Sequence, residues 1–79
     1  MIVALIYPEV LDFIRSNAEL RDRLAKANDV QPPAVNAMLR PQASGLPHSY
    51  RLTSISNMKL ISEAYGQPVD SLYSEISID

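Results

Sequence analysis

The sequence predicts a mainly α domain assembled around a helix-turn-helix, with short β-strands allowed at its ends. Three observations predict it. First, residues 20–40, LRDRLAKANDVQPPAVNAMLR, carry two short apolar runs separated by a polar corner at Asn28-Asp29. Second, helix start and stop signals recur along the chain, at Pro8, Pro32-Pro33, Ser54, Gly66 and Pro68. Third, the apolar run at 2–7 and the alternating tail at 74–79 lie outside any helical pattern.

The chain has 79 residues, which fits one domain spanning 1–79. A domain this small buries only about 60–65% of its unfolded surface. Its 47% hydrophobic content supports a core, and its 20% charged content is too low for a disordered segment. There is no cysteine, so disulfides and thiolate zinc sites are excluded. The single histidine, His48, cannot build a multi-histidine metal site. No paired-carboxylate site with a nucleophile and no glycine-rich phosphate loop is present, so an enzyme is not expected. No cofactor is expected either. The apolar opening is far shorter than the ~20 residues a bilayer span needs, and it lacks a signal-peptide pattern. The expectation is a soluble cytoplasmic protein with no membrane partner.

Net charge is −2, but it is unevenly placed. Between Leu20 and Leu60 stand Arg21, Arg23, Lys26, Arg40, Arg51 and Lys59 against Asp22 and Asp29, a balance of +4. The remainder holds Arg15 against Glu9, Asp12, Glu19, Glu63, Asp70, Glu75 and Asp79, a balance of −6. Such asymmetry suits a one-faced binder of phosphate, although two adjacent basic helices would give the same split.

In order, residues 2–6 read as a strand or extended arm. Pro8 opens a first helix over 8–15, with Val10, Leu11, Phe13 and Ile14 forming one apolar stripe. Ser16-Asn17-Ala18-Glu19 has the form of a capping box, placing a second helix from about Asn17 to Ala27. Asn28-Asp29 tolerates the left-handed geometry of a tight turn, and Val30 then enters the core. Gln31-Pro32-Pro33 opens a third helix that runs to Arg40, with Val35, Met38 and Leu39 inward. Residues 41–52 read as an extended loop ending in an alternating stretch, 48–52, that could form a short strand. Thr53 or Ser54 caps a fourth helix over 55–65, with Ile55, Met58, Ile61, Ala64 and Tyr65 buried and Gly66 as the stop. Pro68 begins a fifth helix over 69–74 that buries Val69, Leu72 and Tyr73. The tail 74–79 could pair as a strand with the N-terminal run, within one subunit or between two.

Two blocks of the chain resemble the phage repressor and Cro-like helix-turn-helix family. The first carries Leu24-Ala25, Val30, Val35 and Met38 at the motif's spacing. The second, residues 53–73, TSISNMKLISEAYGQPVDSLY, is similar to the family's two closing helices through Ile55, Met58, Ile61, Ala64, Gly66, Val69, Asp70 and Leu72. Together they cover about half the chain. The resemblance implies a five-helix lambda-repressor-like domain. The sequence departs from the pattern at Asp29, where glycine is usual, and at Arg21, where glutamine or threonine is usual. The connection between the third and fourth helices is longer than in the common form, and the terminal arms are not covered.

The resemblance also implies a function: a sequence-specific double-stranded DNA-binding transcriptional regulator that places its third helix in the major groove. Carried over by position, Gln31, Ala34, Asn36, Ala37 and Arg40 are the candidates for base edges, with Arg40, at the far end of the helix, able to take a guanine or a phosphate. An amide matches the N6/N7 edge of adenine, and an alanine can touch a thymine methyl. Asn17 and Arg21 would meet the backbone, and in the loop Ser44, His48, Ser49, Tyr50 and Arg51 would offer further phosphate contacts. The cell the resemblance implies is bacterial or phage-infected. Family members act as dimers on two-fold operators, so a homodimer is expected. Ile2, Val3, Leu5, Ile76 and Ile78 are the candidate dimer contacts, the alternative being that the strand covers the monomer core. A second reading keeps the fold but not the DNA role, as a protein-interaction module of antitoxin-like or inhibitory type. A third, single-strand binding through Tyr50 and Arg51, has few exposed aromatics to support it.

Overall fold

The computed structural model describes residues 2–77. Four α-helices pack against one another and against a two-stranded antiparallel sheet. The strands are β1 (Ile2–Ile6) and β2 (Tyr73–Ser77), and the helices are α1 (Pro8–Ser16), α2 (Ala18–Ala27), α3 (Pro32–Met38) and α4 (Ile55–Tyr65). Among the described residues no helix is long and apolar enough to cross a membrane.

The first and last elements, β1 and β2, pair with each other. Val3 stands opposite Ile76 and Ile6 opposite Tyr73. The Tyr7 N–H donates to the Leu72 carbonyl at 3.0 Å, which extends the ladder to the start of α1. The tail therefore pairs with the N-terminal run inside one chain, one of the two arrangements its alternating pattern allowed.

Pro8 takes the first turn of α1, where a missing N–H costs no intrahelical bond. Val10, Leu11 and Ile14 are buried from α1, Leu20, Leu24 and Ala25 from α2, Val35 and Met38 from α3, and Met58 and Ile61 from α4. Leu39, Leu52 and Leu72 complete the core from the connections. Phe13 meets Tyr65 edge-on at 5.0 Å between ring centroids, joining α1 to α4 at its rim.

Five expectations need correction. Among the described residues there is no fifth α-helix. Pro68 is followed by a single 3-10 turn, Val69–Ser71, and the chain then extends into β2. A six-residue helix barely passes its nucleation cost, and pairing with β1 satisfies the same backbone groups. The expected strand at 48–52 is instead a 3-10 helix, Tyr50–Thr53. Helix α3 ends at Met38, so Arg40 lies beyond it. The capping box is displaced by one residue. Ser16 belongs to α1 and donates its hydroxyl to the Phe13 carbonyl. Asn17 is the extended joint, and its Oδ1 accepts from the Leu20 N–H at 3.0 Å. Finally, Ile55 is 77% exposed. It occupies the first helical position of α4, outside the inward face set by Met58 and Ile61.

Candidate nucleic-acid interface

The α2–turn–α3 unit is closed by local hydrogen bonds. The N–H of Asn28 donates to Leu24 and that of Val30 to Ala25, both at 3.0 Å. Asp29 adopts φ 54°, the left-handed conformation that glycine otherwise supplies at such a corner, and among non-glycine residues Asp and Asn adopt it most readily. Val30 is half-buried and packs on the core, as expected.

Gln31 precedes α3 with extended geometry and makes no side-chain cap, so its amide is not used by the helix. Pro32 and Pro33 occupy the first turn and fix its backbone. Of the base-contact candidates, Gln31, Ala37 and Arg40 are exposed, while Ala34 and Asn36 are half-buried. Asn36 is held by α2: Nη1 of Arg21 donates to its Oδ1 at 3.0 Å. Nε of Arg21 is buried without a hydrogen-bond partner among the described residues.

The phosphate candidates divide. Arg51, Ser44 and Tyr50 are exposed, Tyr50 at 71%. Asn17 is engaged as the α2 cap. His48 and Ser49 were placed wrongly by the sequence. His48 is buried at 1% exposure. Its Nε2 accepts the Ile6 N–H at 2.9 Å, so the ring proton sits on Nδ1 and donates to the Ser49 carbonyl at 2.8 Å. The imidazole thus ties the 41–49 connection to the free side of β1. Ser49 is also buried, and its hydroxyl oxygen accepts from the Arg51 N–H at the start of the 3-10 helix. Both side chains are spent on structure and neither is available to a phosphate.

The connection that holds them is organised rather than extended. The N–H of Gln42 donates to the Leu46 carbonyl at 2.7 Å, and Gly45 turns the chain at φ 89°. The Ser49 N–H donates to the Met38 carbonyl at 2.8 Å, fastening the connection to the end of α3.

Two supports escaped the sequence reading. Arg15, which had been counted only as a charge, donates through Nη2 to the Leu39 carbonyl at 2.8 Å and braces the C-terminal end of α3 from α1. The position of Arg15 in the last turn of an amphipathic helix was its only local sign. Asn57 is fully buried and bridges Asn28, at the end of α2, to the Arg51 carbonyl. Its place four residues before Ile61 and seven before Ala64, on the inward face of α4, was the signal that could have found it. Arg23 is drawn to Glu63 at 3.5 Å, which lowers its availability as a contact.

The candidate dimer residues are used first within the chain. Val3 and Leu5 are half-buried in the strand pair, while Ile2 and Ile76 remain 70% and 39% exposed. Ile78 lies outside the described residues. Among the described residues no cluster of His, Cys, Asp and Glu could hold a metal ion.

Comparison with protein-family models, with characterised proteins and with solved structures yielded no match.

Proposed function

We propose that the protein is a sequence-specific double-stranded DNA-binding transcriptional regulator of the repressor or Cro-like kind, with α3 as its reading helix. One observation carries this reading. A short helix, packed on α2 across a tight turn, exposes Ala37 and is flanked by exposed Gln31 and Arg40, and its half-buried Asn36 is oriented by Arg21 from the preceding helix. Side chains held by a neighbouring element are what base readout needs, because a loose amide gains little net energy from a base edge. Arg40, Arg51 and Lys26 are exposed cations available to phosphates. A single unit this small would contact only a few base pairs, so binding as a homodimer to a two-fold operator is part of the proposal.

Selection of duplexes from a random pool tests it. A consistent half-site, with affinity that falls steeply as salt rises, is the expected result. No affinity for any duplex at low salt would refute it.

The second reading, a protein-interaction module, is favoured by a different observation. An apolar groove of about 290 Å³ lies between the sheet and α4, lined by Ala4, Met58, Val69 and Tyr73 with Ile55 at its side. Tyr50 and Ile55 are large apolar side chains left in water nearby. A protein that binds no DNA but captures a partner through this face would establish it.

A further inference from the structure

We propose that the Arg21–Asn36 pair makes the reading helix select guanine, rather than adenine, beneath Asn36. The proposal rests on the DNA-reading function above and specifies which base edge that site takes.

The argument starts from donor and acceptor inventories. An asparagine amide offers one oxygen that accepts and one NH₂ that donates, and adenine is matched when both are free. Arginine has no acceptor atom. Its contact with Asn36 therefore fixes which end of the amide faces α2: Nη1 of Arg21 donates to Oδ1 at 3.0 Å. The end left over is Nδ2, which has no partner among the described residues. What the pair has left to offer is then all of one kind. Neither Nδ2 of Asn36 nor the second guanidinium nitrogen of Arg21 makes a hydrogen bond among the described residues, and both are donors.

A surface made only of donors suits a base edge made only of acceptors. In the major groove guanine presents N7 and O6, two adjacent acceptors. Adenine presents N7 beside an N6 amino donor, and thymine a single acceptor beside a methyl group. An adenine amino group approaching Oδ1 would compete with a cation already bonded to that oxygen. The buried Nε of Arg21 points the same way. An arginine nitrogen left unpaired between two helices costs stability that a methionine at this position would not. The residue is thus poorly explained as packing. Its use is to turn the amide and add positive charge beside it.

The test compares half-sites selected by the wild-type protein and by Asn36→Ala. The position whose preference disappears in Asn36→Ala is the one Asn36 reads. Guanine is expected there. Replacing that guanine with 7-deazaguanine, which lacks the N7 acceptor, should weaken wild-type binding about tenfold and Asn36→Ala binding by less than about twofold. Arg21→Met frees Oδ1 and should move the preference toward adenine. Asn36→Asp keeps an acceptor for Arg21 but replaces the free donor with an oxygen. It should lose guanine selection while melting as the wild type does, so the inference stays testable if Arg21→Met does not fold. Adenine at the mapped position, insensitivity to 7-deazaguanine, or guanine selection retained by Asn36→Asp would overturn the inference while leaving the DNA-binding function standing. Failure of the wild-type protein to select any duplex would overturn that function, and the inference with it.

Discussion

Asn28 and Asn57 exchange two hydrogen bonds across 29 residues of sequence. Nδ2 of Asn28 donates to Oδ1 of Asn57 at 2.8 Å, and Nδ2 of Asn57 donates back to Oδ1 of Asn28 at 3.1 Å. Each amide also spends its NH₂ on a backbone carbonyl, Leu24 for Asn28 and Arg51 for Asn57. The C-terminal end of α2, the 3-10 helix Tyr50–Thr53 and the first turns of α4 are thereby fixed to one another through a polar contact at the edge of the core. The turn that leads into α3 starts from this anchor.

Removing Asn57 should therefore cost more than its small size suggests. Asn57→Ala leaves the Asn28 amide short of a partner and the Arg51 carbonyl with only the Ser54 N–H, at 3.3 Å. The expected loss is about 2 kcal/mol, or roughly 8–16 °C in Tm for a domain of this size. Asn28→Ala should cost at least as much, because it strands the fully buried Asn57 amide. Denaturant melts of both variants and of the double variant would give a coupling of about 1 kcal/mol. Strict additivity would show that the two amides do not support each other.

His48 gives a second prediction. Its ring connects the Ile6 N–H to the Ser49 carbonyl. His48→Ala opens a cavity and unpairs the buried Ile6 N–H, while the Ser49 carbonyl keeps the Leu52 N–H, for an expected loss of about 2–3 kcal/mol. The loss should be local before it is global. The Ile6 amide, which faces away from β2, should exchange its hydrogen much faster in His48→Ala, while amides in α4 follow the fall in overall stability. Unchanged protection at Ile6 would mean that the imidazole is not its partner in solution.

How far the sequence could lead depended on whether a feature is local. The bounds of α4 followed from Ser54 and Gly66, because a capping oxygen and a left-handed glycine act within one turn. Residues 2–6 suited a strand and form β1, and the alternating tail suited one and forms β2 as far as it is described, to Ser77. The fifth helix and the placement of His48 depend on distant partners. Whether 69–74 coils or extends is decided by β1, at the other end of the chain. A histidine in a proline-flanked loop reads as surface until the Ile6 N–H, 42 residues away, is brought to it. The same holds for the proposed site. Gln31 and Arg40 are exposed as their positions implied, but the engagement of Asn36 by Arg21 could not be read from either residue's surroundings.

Asp29 offers a test of the turn itself. At φ 54° an aspartate is tolerated, a glycine is unstrained, and an alanine or valine is disfavoured. Asp29→Ala should lower stability by about 1 kcal/mol. Asp29→Gly should be close to neutral, since relief of backbone strain offsets the greater freedom of glycine in the unfolded chain. Thermal melts would rank the three. An alanine variant as stable as the wild type would show that the corner does not hold a left-handed residue.

The outer side of α3 supplies the last prediction, which separates base readers from phosphate contacts. Gln31 is exposed at the start of the helix with its amide unused, whereas Arg40 follows the helix as an exposed cation. If Gln31 reads a base, Gln31→Ala should weaken binding to the selected half-site by about 1–3 kcal/mol and relax preference at one position, with unspecific affinity nearly unchanged. If Arg40 or Arg51 meets a phosphate, replacement by alanine should weaken binding to all duplexes alike. Each should also reduce the slope of log affinity against log salt by about 0.9. His48→Ala serves as the contrast, because its buried ring has no route to a phosphate. Measured well below its melting temperature, that variant should keep the wild-type salt slope. A reduced slope in His48→Ala together with an unchanged slope in Arg40→Ala and Arg51→Ala would reverse the assignment of these residues.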